Sequence, residues 1–234
     1  MARFRSGDLQ IETKPDTTPV TEADRAAEHA IRDRLAQARP GHGVLGEECG
    51  AEGSADVRWI LDPIDGTLNY VRGIPVWGSL IGLEAGSETV VGVVSAPAIG
   101  HRWWAARGLG AFRNAEPIRV SAIADPADAQ LSYSSMVTAE EFGIGPQMFD
   151  LEHRCLRTRG YGDFWSFMLV AEGAVDIAVE PIAAPWDLAP LQVIVEEAGG
   201  SFTDLTGEST IYGGNALATN GLLHDEVLSL LQAR

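Results

Sequence analysis

The alternation of apolar and polar positions predicts a succession of short strands and helices in this 234-residue chain. A helix begins after Thr21, a suitable cap, with Asp24 three residues on in a capping-box-like position. Apolar residues at helical spacing continue this helix until Pro40. A strand-like run over residues 43–46 follows and leads directly into Glu47.

A short buried strand, Trp59–Leu61, precedes the most informative polar segment of the chain. Asp62 and Asp65 come at its end, and Pro63 between them predicts a turn. Gly66–Thr67 then opens a short helix whose first N–H groups form an anion site. Two carboxylates beside such an anion-binding site indicate metal-assisted phosphate chemistry, because Mg²⁺ is commonly bound by carboxylates and by the phosphate of the substrate. In isolation, the same pattern is better explained as an ordinary turn.

The remainder of the chain predicts strands first and then alternating strands and helices, which indicates sheets layered with helices. The predicted strands cover residues 76–83, 89–94, 101–106, 118–120, 131–134, 157–161 and 175–180. The predicted helices cover residues 146–154, 164–173, 187–198 and a last segment from its cap, Asn220, to Leu231.

Composition and charge narrow the class of protein. A hydrophobic content of 45% and a charged content of 21% are those of an ordinary globular protein of one large domain or two fused lobes. The net charge of −16 argues against nucleic acid or an anionic membrane as a partner. Two cysteines are too few for a disulfide framework, and neither a spanning apolar run nor a secretory signal is present, so we expect a cytoplasmic protein.

Acidic residues recur where predicted strands end or helices start. They are Glu47 after the strand at 43–46, Asp62 and Asp65 after the strand at 59–61, and Asp187 at the start of a helix. Active sites of layered α/β proteins collect at strand ends. If these carboxylates converge, their mutual repulsion has to be offset by cations.

The motifs that contain these residues resemble those of the inositol monophosphatase family. They are Gly46-Glu47-Glu48, Trp59–Tyr70 (WILDPIDGTLNY), Trp186–Ala189 (WDLA) and Glu196–Gly200 (EEAGG), in the family's order. The resemblance runs from about Lys14 to the C-terminus, although fewer residues precede it than in family members. Segments 71–77, 102–108 and 159–164 are most similar to the histidinol-phosphate phosphatase branch.

The resemblance implies a layered αβαβα fold with two sheets, in one phosphatase domain over residues 1–234. Its N-terminal lobe, residues 1–124, would carry the metal-site motifs. Its C-terminal lobe, residues 125–234, would carry Asp187 and the residues that determine substrate specificity. Two or three Mg²⁺ ions would be bound by Glu47, Asp62, the Ile64 carbonyl, Asp65 and Asp187. Thr67 and Asp24, assisted by Glu47, would orient and deprotonate the attacking water, and the Gly66 and Thr67 N–H groups would hold phosphate.

Three further residues concern the choice of substrate. Within the resemblance, Glu180 occupies the place of a hydroxyl-binding glutamate, and Asp163 faces the leaving group, where a carboxylate suits an ammonium or imidazolium ion. Arg159 would bind phosphate or form a surface ion pair. Asp24, Asp163 and Asp187 also have a simpler interpretation as helix caps, and Lys14 either steers a water molecule or is solvated.

These observations predict a Mg²⁺-dependent phosphomonoesterase that catalyses direct in-line attack of a metal-activated water on a small phosphate monoester. L-Histidinol phosphate, an intermediate of histidine biosynthesis, is the expected substrate. The alternative enzyme is an inositol-1-phosphate or broad sugar-phosphate phosphatase, and the alternative of another class is a non-catalytic metal- or phosphate-binding protein. We expect a homodimer without nucleic acid or membrane partners.

Overall fold

The computed structural model describes residues 1, 3–6, 11–13 and 19–233. Two short strands, β1 (Ile11–Thr13) and β2 (Pro19–Thr21), pair antiparallel and lead into helix α1 (Glu22–Ala38). Thr21 caps α1 and forms the predicted capping box with Asp24. Lys14 lies outside the described residues.

The first large sheet has eight strands. In chain order they are β3 (Gly43–Gly46), β4 (Gly50–Glu52), β5 (Val57–Asp65), β6 (Gly78–Ala85), β7 (Glu88–Ala96), β8 (His101–Ala106), β9 (Ala111–Arg113) and β10 (Glu116–Ile118). Their spatial order is β10-β9-β8-β7-β6-β5-β3-β4, and only the β3–β5 pair is parallel. The five-residue helix α2 (Thr67–Val71) follows β5 directly.

The second sheet has five strands in the order β12-β11-β13-β15-β14. They are β11 (Gln130–Tyr133), β12 (Arg157–Arg159), β13 (Ile177–Glu180), β14 (Ser201–Thr203) and β15 (Ala216–Thr219). A single 3₁₀ turn, Pro126–Asp128, precedes β11. The helices of this half are α3 (Met136–Phe142), α4 (Gly145–Arg154), α5 (Asp163–Ala171), α6 (Pro185–Glu197) and α7 (His224–Leu231).

The elements stack in five layers, which confirms the predicted αβαβα arrangement. Helix α1 packs on the outer face of the first sheet, while α5 and α6 fill the space between the two sheets. Helices α4 and α7 pack together on the far side of the second sheet. The largest core, which includes Trp103, Phe164, Phe167 and Phe202, surrounds α5 and α6.

Two glycines set the distance between α6 and the first sheet. A Cβ on Gly82 of β6 would come within 2.7 Å of the Ala189 Cβ, and one on Gly92 of β7 within 2.5 Å of the Pro190 carbonyl oxygen. Larger residues at either position would push α6 away from the sheet. The absence of a side chain therefore fixes where α6, with Asp187 in its first turn, lies relative to β5.

The structure corrects several predicted boundaries. Strand β5 does not end at Leu61 but continues to Asp65, and the strand predicted at 118–120 lies at 116–118. Asn220 does not cap the last helix, which begins after Leu223. Its Oδ1 instead accepts the N–H groups of Leu222 and Leu223 one turn earlier. The sequence pattern missed β1, β2, β4, β9, α3, β14 and β15, because these segments are short and lack a clear period.

Candidate active site

The end of β5 carries the first two acidic side chains of the site. Its pairing with β6 shifts register between Asp62 and Asp65, so that the strand is irregular there. Asp62 is buried, and its Oδ1 accepts a hydrogen bond of 2.9 Å from the Ile64 N–H. Asp62, Ile64 and Asp65 consequently line one cavity of about 330 Å³.

Gly66 turns the chain from β5 into α2. Its φ of 79° is in the left-handed region, and a Cβ would lie 3.1 Å from the Val76 carbonyl oxygen. The Tyr70 N–H donates to the Gly66 carbonyl at 3.0 Å. The N–H groups of Gly66 and Thr67 come before this first hydrogen bond of the helix. As at any helix N-terminus, they have no carbonyl acceptor within the helix itself.

The Thr67 hydroxyl links this turn to α1. It donates to the Ile64 carbonyl at 2.9 Å and lies 3.4 Å from Asp24 Oδ1. The other Asp24 oxygen, Oδ2, accepts the Thr21 N–H at 2.8 Å, so helix capping and contact with Thr67 coexist. Burial raises the pKa of Asp24, and the nearby charge of Glu47 adds to this effect.

Glu47 reaches the site because β3 and β5 run parallel. Gly46 pairs with Leu61, and the Glu47 N–H donates to the Leu61 carbonyl at 3.1 Å. Glu47, the residue after Gly46, and Asp62, the residue after Leu61, therefore lie next to each other at the same end of the two strands. The charge of Glu47 lies close enough to Asp62 to raise the pKa of the Asp62 carboxyl.

Asp187 approaches from the other half of the chain. Helix α6 begins at Pro185, two residues before the predicted start, and Asp187 occupies the third helical position. Its Oδ2 accepts the Ala184 N–H at 2.8 Å. Asp187 thus completes a helix cap and also faces the cavity that Asp62 and Asp65 line.

Three of these carboxylates form a compact group. Asp62, Asp65 and Asp187 each offer one oxygen, and these oxygens all lie within 4.8 Å of one another. Burial, followed by the charges of Glu47, Asp65 and Asp187, raises the pKa of Asp62 well above its ordinary value. Burial and the charges of Asp163 and Asp187 raise the pKa of Asp65 likewise, against the opposing Phe164 N–H, which donates to Asp65 Oδ2 at 2.7 Å.

This donor set fits a hard divalent cation. Like charges at such separations destabilise one another unless a proton or cation lies between them. The available donor atoms are the carboxylate oxygens of Asp62, Asp65 and Asp187, in a cavity that Ile64 also lines, and oxygen donors are those that Mg²⁺ prefers. The cavity also contains Gly66 and Thr67, so a phosphate group bound there would lie beside the same cation.

A second cavity of about 150 Å³ adjoins the first. Asp65, Asp163 and Asp187 line both cavities. It adds two polar side chains, Ser134 and Glu180. Its apolar wall consists of Phe164, Phe167, Ile182, Ala183, Leu188 and Leu191. The cavity therefore combines carboxylates with aromatic and aliphatic surface.

Asp163 stands at the junction of the two cavities in an unusual backbone conformation. Its φ of 49° is left-handed, which is uncommon for a residue other than glycine but is more accessible to aspartate than to most residues. The Asn69 side-chain amide donates to both Asp163 Oδ2, at 3.2 Å, and the Val76 carbonyl, at 2.9 Å. Asn69 therefore holds the Asp163 carboxylate over Gly66. Burial raises the pKa of Asp163.

Glu180 lies at the end of β13 and accepts a hydrogen bond of 2.7 Å from the Ser134 hydroxyl. Burial raises the pKa of Glu180 to about 7, and the charges of Asp163 and Asp187 act in the same direction, against the Ser134 hydrogen bond. A cationic group in the second cavity would favour the charged form of this carboxyl.

Comparison with known proteins adds a decisive observation to this geometry. The sequence model that describes the inositol monophosphatase family matches residues 1–234 of this chain. The chain belongs to this family. Its solved relatives include the Thermotoga maritima IMPase, with a TM-score of 0.89 and 35% identity over 98% of this chain and 89% of that one.

Curated relatives named histidinol-phosphatase include two that are more than half identical to this chain. The Streptomyces coelicolor protein is 51% identical over 243 residues, covering 100% of this chain and 91% of the relative. The Mycobacterium tuberculosis protein is 54% identical over 237 residues, covering 99% of this chain and 91% of the relative. The chain is therefore a phosphoric monoester hydrolase of a metal-dependent family, and it has an acidic group able to bind metal. None of its described helices combines the length and apolar character needed to cross a membrane.

Arg159 is the one predicted substrate residue that the structure keeps apart from both cavities. It lies exposed on the edge strand β12, where its guanidinium donates to the neighbouring Thr158 carbonyl at 2.6 Å. Glu48, the neighbour of Glu47, is partly buried, and its backbone N–H donates to Glu28 at 2.8 Å.

Three residues near the site were not predicted from the sequence: Asn69 and Ser134, which contact Asp163 and Glu180, and Glu28, which contacts the backbone of the two residues after Glu47. Glu28 had a signal, because it follows Asp24 by one helical turn and therefore shares its helix face. Asn69 lies within the recognised motif, but its contact with Asp163, 94 residues away, has no local signature. Ser134 ends a predicted strand without any distinguishing pattern.

Proposed function

We propose that this protein is a Mg²⁺-dependent phosphatase whose preferred substrate is L-histidinol phosphate. The observation that carries the proposal is the group of Asp62, Asp65 and Asp187 beside a second cavity that is both acidic and apolar. The names of the two relatives at half or more identity support the same substrate.

The metal site would be formed by Glu47, Asp62, Asp65, Asp187 and the Ile64 carbonyl. Bound Mg²⁺, as two or three ions, would neutralise phosphoryl oxygens, lower the pKa of the attacking water and stabilise the leaving alkoxide. These residues would hold the cations at fixed positions, because β3 and β5 are held by backbone pairing and α6 by its close packing on the first sheet.

Thr67 and Asp24 would orient the attacking water and receive its proton, with assistance from Glu47. The distance of 3.4 Å between the Thr67 hydroxyl and Asp24 Oδ1 supports this pairing, because both groups lie close enough to contact the same water molecule. The raised pKa of Asp24 makes its carboxyl a better proton acceptor than an ordinary aspartate. Phosphate oxygens would accept the Gly66 and Thr67 N–H groups, and attack in line with the leaving oxygen needs no phospho-enzyme.

The second cavity would bind the leaving group. L-Histidinol carries an amine and an imidazole on a short carbon chain, so it combines positive charge with a flat ring. Asp163 and Glu180 would attract the cationic groups, and the apolar wall around Phe164 and Phe167 would cover the ring. A ring of hydroxyls, as in inositol, would leave this apolar wall without a matching surface.

Two alternatives make different predictions. An inositol-1-phosphate or broad sugar-phosphate phosphatase would use the same metal site, and the name of the Thermotoga maritima structure favours this reading. A non-catalytic metal- or phosphate-binding protein would bind Mg²⁺ without turnover, an alternative against which the phosphatase names of the relatives argue. We also propose that lobes 1–124 and 125–234 act as one catalytic unit, and that the protein is a cytoplasmic homodimer.

Release of inorganic phosphate by the purified protein distinguishes these proposals. We expect turnover of L-histidinol phosphate that requires Mg²⁺, stops with EDTA and exceeds turnover of inositol 1-phosphate. A ten-fold preference for inositol 1-phosphate would refute the histidinol assignment. No turnover of any monoester would favour the binding protein.

The variant Asp62→Asn tests the metal site. It removes one charge from the carboxylate group, and we expect it to lower activity by at least about 10³-fold, since the charge stabilisation lost in the transition state is worth several kcal/mol. The matched control is Asp150→Asn, which breaks only the exposed ion pair with Arg154 on α4 and should keep full activity. Full activity in Asp62→Asn would exclude the proposed mechanism.

A further inference from the structure

Helix α1 contains a completely buried carboxylate that no part of the proposed chemistry uses. Glu28 has an exposed fraction of 0%. Its Oε2 accepts the Glu48 N–H at 2.8 Å, and its Oε1 accepts the Cys49 N–H at 3.2 Å. Arg32, one turn further along α1, donates its Nε to Oε1 at 2.8 Å. The carboxylate is thus directed at the backbone of the turn that follows β3.

Arg32 contacts the same turn from its other end. Its Nη2 donates to the Gly50 carbonyl at 2.5 Å, and its Nη1 lies 3.5 Å from the exposed carboxylate of Glu52. Together, Glu28 and Arg32 bind two N–H groups and one carbonyl of residues 47–50. We call this arrangement the α1 clamp, and define it as Glu28, Arg32 and the backbone groups of Glu48, Cys49 and Gly50 that they bind.

Gly46 makes room for the clamp. A Cβ at this position would overlap Glu28 Oε1 and approach Arg32 Nη2 to 2.8 Å. The glycine is not required by a left-handed backbone, because Gly46 is absent from the positive-φ residues of the described chain. Its requirement is therefore spatial: the residue just before Glu47 has to have no side chain if the Glu28 carboxylate is to lie there.

A buried ion pair of this kind is poorly explained by stability alone. Removing both charges from water costs several kcal/mol, and a well-packed apolar pair is often at least as stable. Multiple hydrogen bonds from one rigid helix to one turn do, however, fix the position of that turn. The turn residue that most needs a fixed position is Glu47, because it adjoins Asp62 in the carboxylate group.

We propose that Glu28 is a positioning residue that sets the metal affinity of the site by holding Glu47 in place through the α1 clamp. The proposal rests on the proposed function of Glu47 as a metal ligand. Asp24, the water-directing residue of that proposal, lies one turn before Glu28 on α1. A single helix face would then set the relative positions of Asp24 and Glu47.

The direct test is the Mg²⁺ and Mn²⁺ affinity of Glu28→Gln, measured by titration calorimetry and by the Mg²⁺ dependence of phosphate release. A glutamine presents an NH₂ group toward backbone donors, so it cannot keep all the contacts of the clamp. We expect affinity to fall by about ten-fold or more, the usual effect of losing a residue that orients a metal ligand. At saturating Mg²⁺, most of the activity should return.

The matched control is Glu84→Gln. Glu84 is also buried and paired with an arginine, Arg58, at 2.7 Å, but it lies at the opposite end of the β5–β6 pairing from Asp62 and Asp65. This variant should lose thermal stability in EDTA as Glu28→Gln does, yet keep wild-type metal affinity. Equal metal affinities in the wild type and Glu28→Gln, or equal losses in the two variants, would overturn the proposal.

Two further variants decide the matter if Glu28→Gln does not fold. Arg32→Lys keeps a positive charge but cannot bridge Glu28 and the Gly50 carbonyl, and Gly46→Ala displaces the Glu28 carboxylate. Each should weaken metal binding in the same direction, and wild-type affinity in both would overturn the clamp. If the wild type releases no phosphate, the proposed function is wrong. The Mn²⁺ affinities of the wild type and the variants, measured by calorimetry, still test the α1 clamp in that case.

Discussion

Glu180 shows how strongly the surroundings of a single residue determine its charge. At a pKa of about 7 its carboxyl is largely protonated at pH 6 and largely ionised at pH 8. Its negative charge is therefore more available to a cationic substrate at pH 8 than at pH 6. Asp163, held by Asn69 and raised in pKa by burial, is the second carboxyl that faces the same cavity.

We predict a pH-dependent contribution of Glu180 to substrate binding. The ratio of KM for L-histidinol phosphate in Glu180→Gln to that in the wild type should rise between pH 6 and pH 8. A rise of about five-fold corresponds to about 1 kcal/mol of attraction gained on ionisation. Taking the ratio cancels the titration of the substrate itself, which affects both proteins.

Glycerol phosphate, which has no cationic group, is the control substrate for this measurement. Its KM ratio should not change with pH, because an ionised Glu180 has no positive charge to attract. A ratio for L-histidinol phosphate that is equally flat from pH 6 to pH 8 would show that Glu180 does not bind the cationic group.

Helix α6 connects the packing of the core to the chemistry of the site. It lies against β6 and β7 because Gly82 and Gly92 have no side chains, and its first turn carries Asp187. We predict that Gly92→Ala destabilises the protein by about 1–3 kcal/mol, the usual cost of overpacking, and shifts Asp187 away from β5. Its Mg²⁺ requirement should rise accordingly.

Thermal unfolding and Mg²⁺ titration of phosphate release measure the two effects of Gly92→Ala. Gly41→Ala is the matched control, since a Cβ there meets nothing within 4 Å. It should leave both the unfolding temperature and the Mg²⁺ requirement unchanged. A Gly92→Ala protein that behaves like Gly41→Ala would show that α6 does not depend on this close approach.

The elements also show what could be read from the sequence. The capping box of Thr21 and Asp24, the strand at 43–46 and the strand at 101–106 follow local rules and were predicted correctly. The extension of β5 through Asp65 was not, because Pro63 argues for a turn, whereas Asp62 and Asp65 on either side of the irregular stretch pair with β6 and the Ser79 hydroxyl donates to the Pro63 carbonyl. Local propensity was overruled there by tertiary contacts.

At the scale of the whole molecule, the site exists only because distant segments meet. The carboxylates of Asp62 and Asp187 are 125 positions apart in the chain (187 − 62), and nothing in their local patterns states that they converge. That expectation came from the family resemblance. Composition and charge limited the kinds of partner but did not locate the site.

The acidic group should make the metal-free protein less stable as pH rises. In the folded state, Asp62 and Asp65 have pKa values well above the aspartate value of 3.8, so they retain protons that the unfolded chain releases. A folded state that binds more protons than the unfolded state loses stability with increasing pH. We predict a lower unfolding temperature in EDTA at pH 8 than at pH 5.5, and recovery at pH 8 on addition of Mg²⁺.

Comparison with Asp62→Asn isolates this effect by calorimetry. Burial lowers the pKa of His224, so this residue makes the folded protein more stable as pH rises, in the opposite direction to the carboxylates. The net negative charge of the chain also affects the pH dependence, but it does so in both proteins. The wild type should therefore lose more stability between pH 5.5 and pH 8 than Asp62→Asn does. The same pH dependence in both proteins would mean that the carboxylate group does not control it.

The most direct measurement is an anomalous difference map from crystals grown with Mn²⁺ and phosphate. We predict Mn²⁺ peaks within bonding distance of Asp62, Asp65 and Asp187, with a phosphate oxygen on the same ions and others at the Gly66 and Thr67 N–H groups. A map without peaks at these carboxylates, in crystals that bind Mn²⁺ and phosphate elsewhere, would contradict a shared metal and phosphate site.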